Sequence, residues 1–364
     1  MDNKERWSVR MADSVMRRDP EVAARKWMYE WGLMLQSLLE VCQLTGDQKY
    51  FDYVKQNMDH FILPDGTIKG YSLEEYNIDH INAGKVLFPL YRATGDERYK
   101  KAADLLRSQL RTHPRTAEGG FWHKKIYTQQ MWLDGIYMGS PFLAEYGTTF
   151  NEPAALDDVV HQITLIDSHT RDPKTNLLYH GWDSVKAQDW ANPKTGASPN
   201  FWGRSVGWYL MALVDVLDVL DHPRRDEILT LVKKTVDGVL SVQDADSGVW
   251  YQVMDQGSRP GNYLEASASC MFTYSILKAV RKGYLSTQYL ERARKAYQGI
   301  LKQFIVVDDQ GLVDLTRICY VAGLGGDPYR DASFECYINE KIVTNDFKGI
   351  GPFILASVEN ECLP

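Results

Sequence analysis

Residues 33–62 read LMLQSLLEVCQLTGDQKYFDYVKQNMDHFI, and residues 83–110 read AGKVLFPLYRATGDERYKKAADLLRSQL. Thr45-Gly46-Asp47 recurs as Thr94-Gly95-Asp96, a shift of 49 residues. In each stretch an apolar helical run stops at Thr-Gly-Asp and a second helical run follows. Gly46 and Gly95 suit the left-handed residue that ends a helix, and Asp47 and Asp96 can cap the next one. The unit is an antiparallel helical hairpin, and it occurs twice.

The beat continues less literally. GIYMGSPFLAEYG (135–147) turns through NEP into AALDDVVHQITLIDSHT (154–170), and GWYLMALVDVLDVL (207–220) turns through DHP into RRDEILTLVKKTVDGVLSV (224–242). ASASCMFTYSILKAVRKG (266–283) leads to TQYLERARKAYQGILKQF (287–304). The last run, GIGPFILASVENECL (349–363), is a single helix whose expected partner is the segment Asp19–Arg25. Between hairpins recurs a short extended element: DGTIKGYS, GGFWHKKI, NLLYHGWD, SGVWYQVM and QGLVDLTR. Six inner helices with such connectors predict an all-α fold, an (α/α)6 barrel. An open helical solenoid is the alternative. Against it, the inner runs are apolar nearly all round, as helices buried on every side should be, and the period drifts from about 50 to about 70 residues. We expect one domain over residues 1–364, with residues 1–20 as an N-terminal extension.

Composition narrows the function. The chain has 364 residues, net charge −7, 44% hydrophobic and 24% charged residues, which excludes disordered and fibrous classes. No stretch is long and apolar enough for a membrane helix. MDNKERWSVRMADSVMRRDP lacks the apolar core of a secretion signal. Five cysteines without CxxC or metal-type spacing suit a reducing cytosol, so a cytoplasmic location is expected. Net acidity without a long basic run argues against nucleic acid. AGLGGDPYRDAS (322–333) lacks the GK[ST] of a phosphate-binding loop and reads as a loop over the barrel mouth, lining it through Tyr329 and Arg330. No histidine pair has metal-ligand spacing.

Each connector leads into the N-terminus of an inner helix, so residues at those starts gather at one end of the toroid. They are Tyr29 and Trp31, Asp79 and His80, Trp132 and Asp134, Trp202, Arg204 and Trp208, Glu265, and Lys348. The connectors add Lys124, Lys125, His180 and Asp183. Taken singly, any of the aromatics is an ordinary core residue. Together they describe a pocket for a carbohydrate ring, and the cations favour an anionic sugar despite the acidic whole. Asp134 has Trp132, Tyr137 and Met138 about it and no basic residue within eight positions. Desolvation there would raise its pKa and keep it protonated, as a general acid requires; a helix-capping Asp is the plainer alternative. Asp79 occupies the matching place one helix earlier, and a second carboxylate nearby would raise one of the pair. His80 reads as a hydrogen-bonded, non-catalytic imidazole. For His180 both readings stand.

TGDxxY, NIDHINAGKVL, QQMWLDGIYMGSPFLAEYG, LLYHGWD, FWGRSVGWY, YRDASFECYI and DFKGIGPFILA resemble glycoside hydrolase family 105, the unsaturated rhamnogalacturonyl hydrolases. The likeness runs from about Trp27 to Glu359. The resemblance implies an (α/α)6 barrel, Asp134 as general acid and base, and Asp79, Lys124, His180, Trp202, Arg204 and Trp208 as substrate-binding residues. It implies release of a 4,5-unsaturated galacturonic acid from short pectin-lyase products by hydration of the C4=C5 bond, with no metal or organic cofactor. The implied partner is a small unsaturated uronic-acid oligosaccharide, with no nucleic acid or membrane, bound by a monomer or weak homo-oligomer. Around the Gly-rich loop the family shows Gly and Tyr where this chain has Ala332 and Cys336. An ordinary inverting glycosidase, a sugar epimerase and a non-catalytic sugar-binding barrel remain the alternatives, since a fold does not fix an activity.

Overall fold

The computed structural model describes residues 5–20 and 26–364. The first hairpin forms as the Thr-Gly-Asp motif predicts. α2 (Tyr29–Thr45) ends at Gly46 with φ 72°, and Asp47 accepts from the Lys49 amide to start α3 (Gln48–Phe61). The second repeats it: a 3-10 stretch, Ile78–Val86, continues as α4 (Leu87–Thr94), ends at Gly95, and Asp96 caps α5 (Glu97–Thr112). Three further hairpins follow: α6 (Leu133–Thr149) with α7 (Pro153–Thr170), α8 (Gly203–Leu217) with α9 (Arg225–Ser241), and α10 (Ala266–Arg281) with α11 (Leu290–Phe304).

The last inner helix is α13 (Phe347–Cys362). Its outer partner is α1 (Trp7–Arg18), which lies within the expected N-terminal extension and buries Val9, Met11, Ala12 and Val15. Of the expected partner segment 19–25, residues 21–25 lie outside the described residues. The sequence reading missed α1 because its apolar positions are interleaved with Arg10, Arg17 and Arg18, a one-sided pattern that needs a neighbour to show its face.

Neighbour relations close the ring. α2 packs on the 3-10 stretch, that stretch on α6, α6 on α8, α8 on α10, α10 on α13, and α13 on α2. A closed toroid results, and the open solenoid is excluded. Ring closure explains the composition of the inner helices, which have neighbours on every side: α10 is buried from Ala266 to Val280 without a break. Outer helices bury one stripe, as in α11 with Ala293, Ala296, Tyr297 and Ile300. Where α2 meets the 3-10 stretch, a Cβ on Gly32 would collide with the Ala83 backbone, so glycine there permits the close crossing.

The connectors form tight extended turns at one end. In the first, Gly66 at φ 88° lets Ile62 pair with Ile68. Longer connectors pair with one another: β1 (Gln130–Trp132) runs antiparallel to β2 (Gly181–Asp183), with Trp132 opposite Gly181. This register sets the start of α6 beside His180. β3 (Ile305–Val307) pairs with β4 (Val313–Leu315), and β5 (Ile318–Cys319) with β6 (Ile342–Val343). The loop between β5 and β6 carries the short helix α12 (Phe334–Ile338). No helix among the described residues is long and apolar enough to cross a membrane.

The opposite end is closed by charge. Lys278 bonds Asp215 at 2.6 Å and Asp218 at 2.8 Å. Lys85 is buried nearby over the Tyr137 ring at 3.6 Å, and its Nζ finds no hydrogen-bond partner. Burial pushes this ammonium down to about 7. The unfolded chain therefore binds the proton more tightly, and stability rises as pH climbs from about 7 towards the ordinary lysine range. Lys85→Met should stabilise the protein by about 2 kcal/mol below pH 7, with a gain that shrinks by pH 10, measured by urea unfolding at both pH values.

Candidate active site

The starts of the inner helices meet around a cavity of about 330 Å³. Several polar residues there share one address, the second residue of an inner helical segment: Glu30, Asp79, Asp134 and Lys348. Tyr29, His80, Lys124 and Trp132 also line the cavity, so these expected residues are brought together. From the Gly-rich segment Arg330 reaches the wall, while Tyr329 is exposed and its hydroxyl receives the Trp190 amide. Trp31 lies in an adjoining chamber. A larger hollow of about 880 Å³ lies on the 168–199 side of the molecule and contains none of these groups.

Asp79 is held by its own turn and by an ion pair. Asn77 takes its backbone N–H, which leaves the carboxylate for Lys124 Nζ at 2.7 Å. Burial pushes the Asp79 carboxyl up, but the Lys124 ammonium together with the neighbouring imidazoles outweighs it, and the carboxyl lies below its ordinary value. His123, 3.6 Å away, adds a dipole rather than a charge, because burial pushes this imidazole down to about 4. Its ring stacks on Trp132 at 4.2 Å. Asp79 is therefore not a member raised by a second carboxylate: its ion pair with Lys124 favours the ionised form. His80 meets the Asn77 side-chain nitrogen at 3.3 Å and is pushed down by burial, in keeping with a non-catalytic imidazole.

Asp134 faces the cavity from the first turn of α6, and no side chain caps that helix. The cap alternative is therefore not what the structure shows. The local sequence offers no base, but the β1–β2 register supplies one: His180 Nε2 lies 3.2 Å from Asp134 Oδ2. Both atoms are buried without a completed hydrogen bond. On its other side His180 Nδ1 lies 2.9 Å from the Tyr337 hydroxyl, and the ring is wedged against Trp202 at 4.7 Å. His180 is fully buried, so it meets the cavity through Asp134.

Like His180, three further expected substrate-binding residues lie behind the wall. Arg204 is buried, donates to the carbonyl oxygens of Cys319 and Tyr320, and so fixes the strand that carries Tyr320 into the cavity. Trp202 packs on His180 and donates to the Gln252 side chain. Trp208 stacks on Tyr137 at 4.8 Å and meets Tyr29 edge-on. Glu265 caps α10 and accepts the Cys319 amide, while Asp183 accepts amides of its own turn. Lys125 reaches out to the Glu74 carbonyl oxygen. Sequence reasoning missed Glu30, His123, Tyr127 and Tyr320 on the cavity wall. Glu30 was recoverable, because it occupies the same helical position as Asp79 and Asp134. The Ala332 backbone takes φ 59°, the left-handed region that favours glycine, which matches the glycine of the resembled family.

Residues 7–363 match the model of Glycosyl Hydrolase Family 88. A solved glycoside hydrolase from family 105 of C. acetobutylicum ATCC 824 is 49% identical, with a TM-score of 0.96 over 99% of this chain and 100% of that one. Protein Atu3128 of Agrobacterium fabrum is 39% identical over 61% of this chain and 98% of its own length. Unsaturated rhamnogalacturonyl hydrolase YesR of Bacillus subtilis is 27% identical over 74% of this chain and 75% of its own.

The Asp79–Lys124 pair has a direct test. Without the ammonium, burial is opposed only by the neighbouring imidazoles, so Lys124→Met should raise the titration of Asp79, and Lys124→Arg should restore it. Carboxyl titration by NMR checks this; an unmoved Asp79 in Lys124→Met would contradict the assignment.

Proposed function

The chain belongs to Glycosyl Hydrolase Family 88, and from that premise we propose that it releases the 4,5-unsaturated galacturonic acid from the non-reducing end of short unsaturated rhamnogalacturonan oligosaccharides. The observation that carries this reading is the Asp134 carboxyl in the cavity, with an unsatisfied oxygen 3.2 Å from a buried imidazole. The name of the Bacillus relative supports the substrate class.

The substrate's ring holds an enol ether conjugated to a carboxylate. Protonated Asp134 delivers its proton to C4, and positive character develops at C5 and the ring oxygen. The same carboxylate then takes a proton from the water that attacks C5. The resulting hemiketal opens, and the exposed hemiacetal at C1 expels the aglycone. His180 is placed to share the proton with Asp134, while Tyr337 holds its far nitrogen. Arg330 and Lys124 line the cavity and bring positive charge to it, where a uronate carboxylate needs cations. Trp132 and Tyr29 supply aromatic surface for the ring.

An ordinary glycosidase needs two carboxyl groups in separate acid and base or nucleophile roles. Asp79, committed to Lys124, is poorly suited to the second role, which favours one residue alternating between acid and base. Bleaching of the conjugated ultraviolet absorbance of an unsaturated rhamnogalacturonan disaccharide is the assay. Asp134→Asn should slow it by about a thousandfold or more while substrate still binds. In heavy water, deuterium should enter C4 during a single turnover. An unchanged rate in Asp134→Asn, or no label at C4, would contradict the mechanism.

A further inference from the structure

A second chamber of about 300 Å³ adjoins the cavity and shares Glu30, Tyr320 and Lys348 with it. Trp31 and Phe347, stacked at 5.0 Å, form its apolar side. Each chamber is near the lower limit of ordinary ligand pockets, so the pair matches two linked rings better than one.

Glu30 stands at the junction. Its Oε2 is buried and accepts no hydrogen bond. Its Oε1 lies 3.7 Å from Lys348 Nζ, beyond hydrogen-bond range. The ammonium is taken instead by Asp346 at 2.9 Å. Glu30 thus offers a buried acceptor that lacks a donor, and a buried acceptor left unsatisfied is unfavourable. A sugar hydroxyl would satisfy it. A uronate or sulfate brought to the same place has no proton to give and would face Glu30 and Asp346, with the Lys348 charge already balanced.

We infer that this chamber seats the sugar on the leaving side of the scissile bond, and that Glu30 selects a neutral hydroxyl-bearing ring there over an anionic one. The inference rests on the reaction proposed above and names the class of its leaving group. Glu30 is a specificity residue in this account, and its effect belongs in KM more than in kcat, because it acts away from C4 and C5.

The test uses the full chain and two unsaturated disaccharides that share the 4,5-unsaturated uronic acid, one ending in rhamnose and the other in a sulfated amino sugar. The wild type should prefer the neutral aglycone by at least about tenfold in kcat/KM. Glu30→Gln should shrink that preference about fivefold, chiefly through KM. Lys26→Glu, on the exposed rim of the chamber, should widen it, and this variant keeps the test decisive if Glu30→Gln melts early. Equal use of both disaccharides by the wild type, or a preference unmoved in both variants, would overturn the inference and leave the hydration reaction standing. If neither disaccharide is consumed, the reaction itself fails and this inference falls with it.

Discussion

Closure of the helical ring is the constraint on which the site depends. Once α13 packs on α2, every inner helical segment must run the same way, and all their starts face one end. The unpaired N–H groups of the first turns then point towards a common mouth, where the peptide dipoles favour negative charge. This accounts for an acidic protein, at −7 overall, with a mouth suited to an anionic sugar. It also places Glu30, Asp79, Asp134 and Lys348 at one level, since each is the second residue of its segment.

The fold was legible because its signals are local. Thr-Gly-Asp marks a helix end and the next helix start within three residues, and Gly46, Asp47, Gly95 and Asp96 do what those residue types do elsewhere. Inner and outer helices were separable by whether apolar residues cover the whole surface or one stripe. The first outer helix was not legible. Its partner is more than 300 residues away in the chain, and its charged residues hide the stripe until α13 is in place.

The site was legible in its members but less so in their partners. Asp134 and Asp79 were found from their place at helix starts, and both line the cavity. Their electrostatics depended on contacts that sequence spacing does not encode: His180 comes to Asp134 through a strand pairing across some 50 residues, and Lys124 comes to Asp79 from the following connector. Arg204 carries the same lesson. A buried arginine at a helix start looks like an anion clamp, yet both its Nη atoms donate to backbone carbonyl groups of the mouth. Burial and hydrogen-bond accounting decide between these roles, and both are tertiary properties.

The proposal that Asp134 protonates carbon, and that the glycosidic bond breaks afterwards, separates this chemistry from displacement at the anomeric centre. The most direct measurement uses an unsaturated uronide whose glycosidic oxygen is replaced by a methylene group. Hydration at C4 and C5 does not involve that atom, so the ultraviolet absorbance should disappear although no aglycone is released. Persistence of the absorbance, with the same compound bound as a competitive inhibitor of the natural disaccharide, would contradict the account.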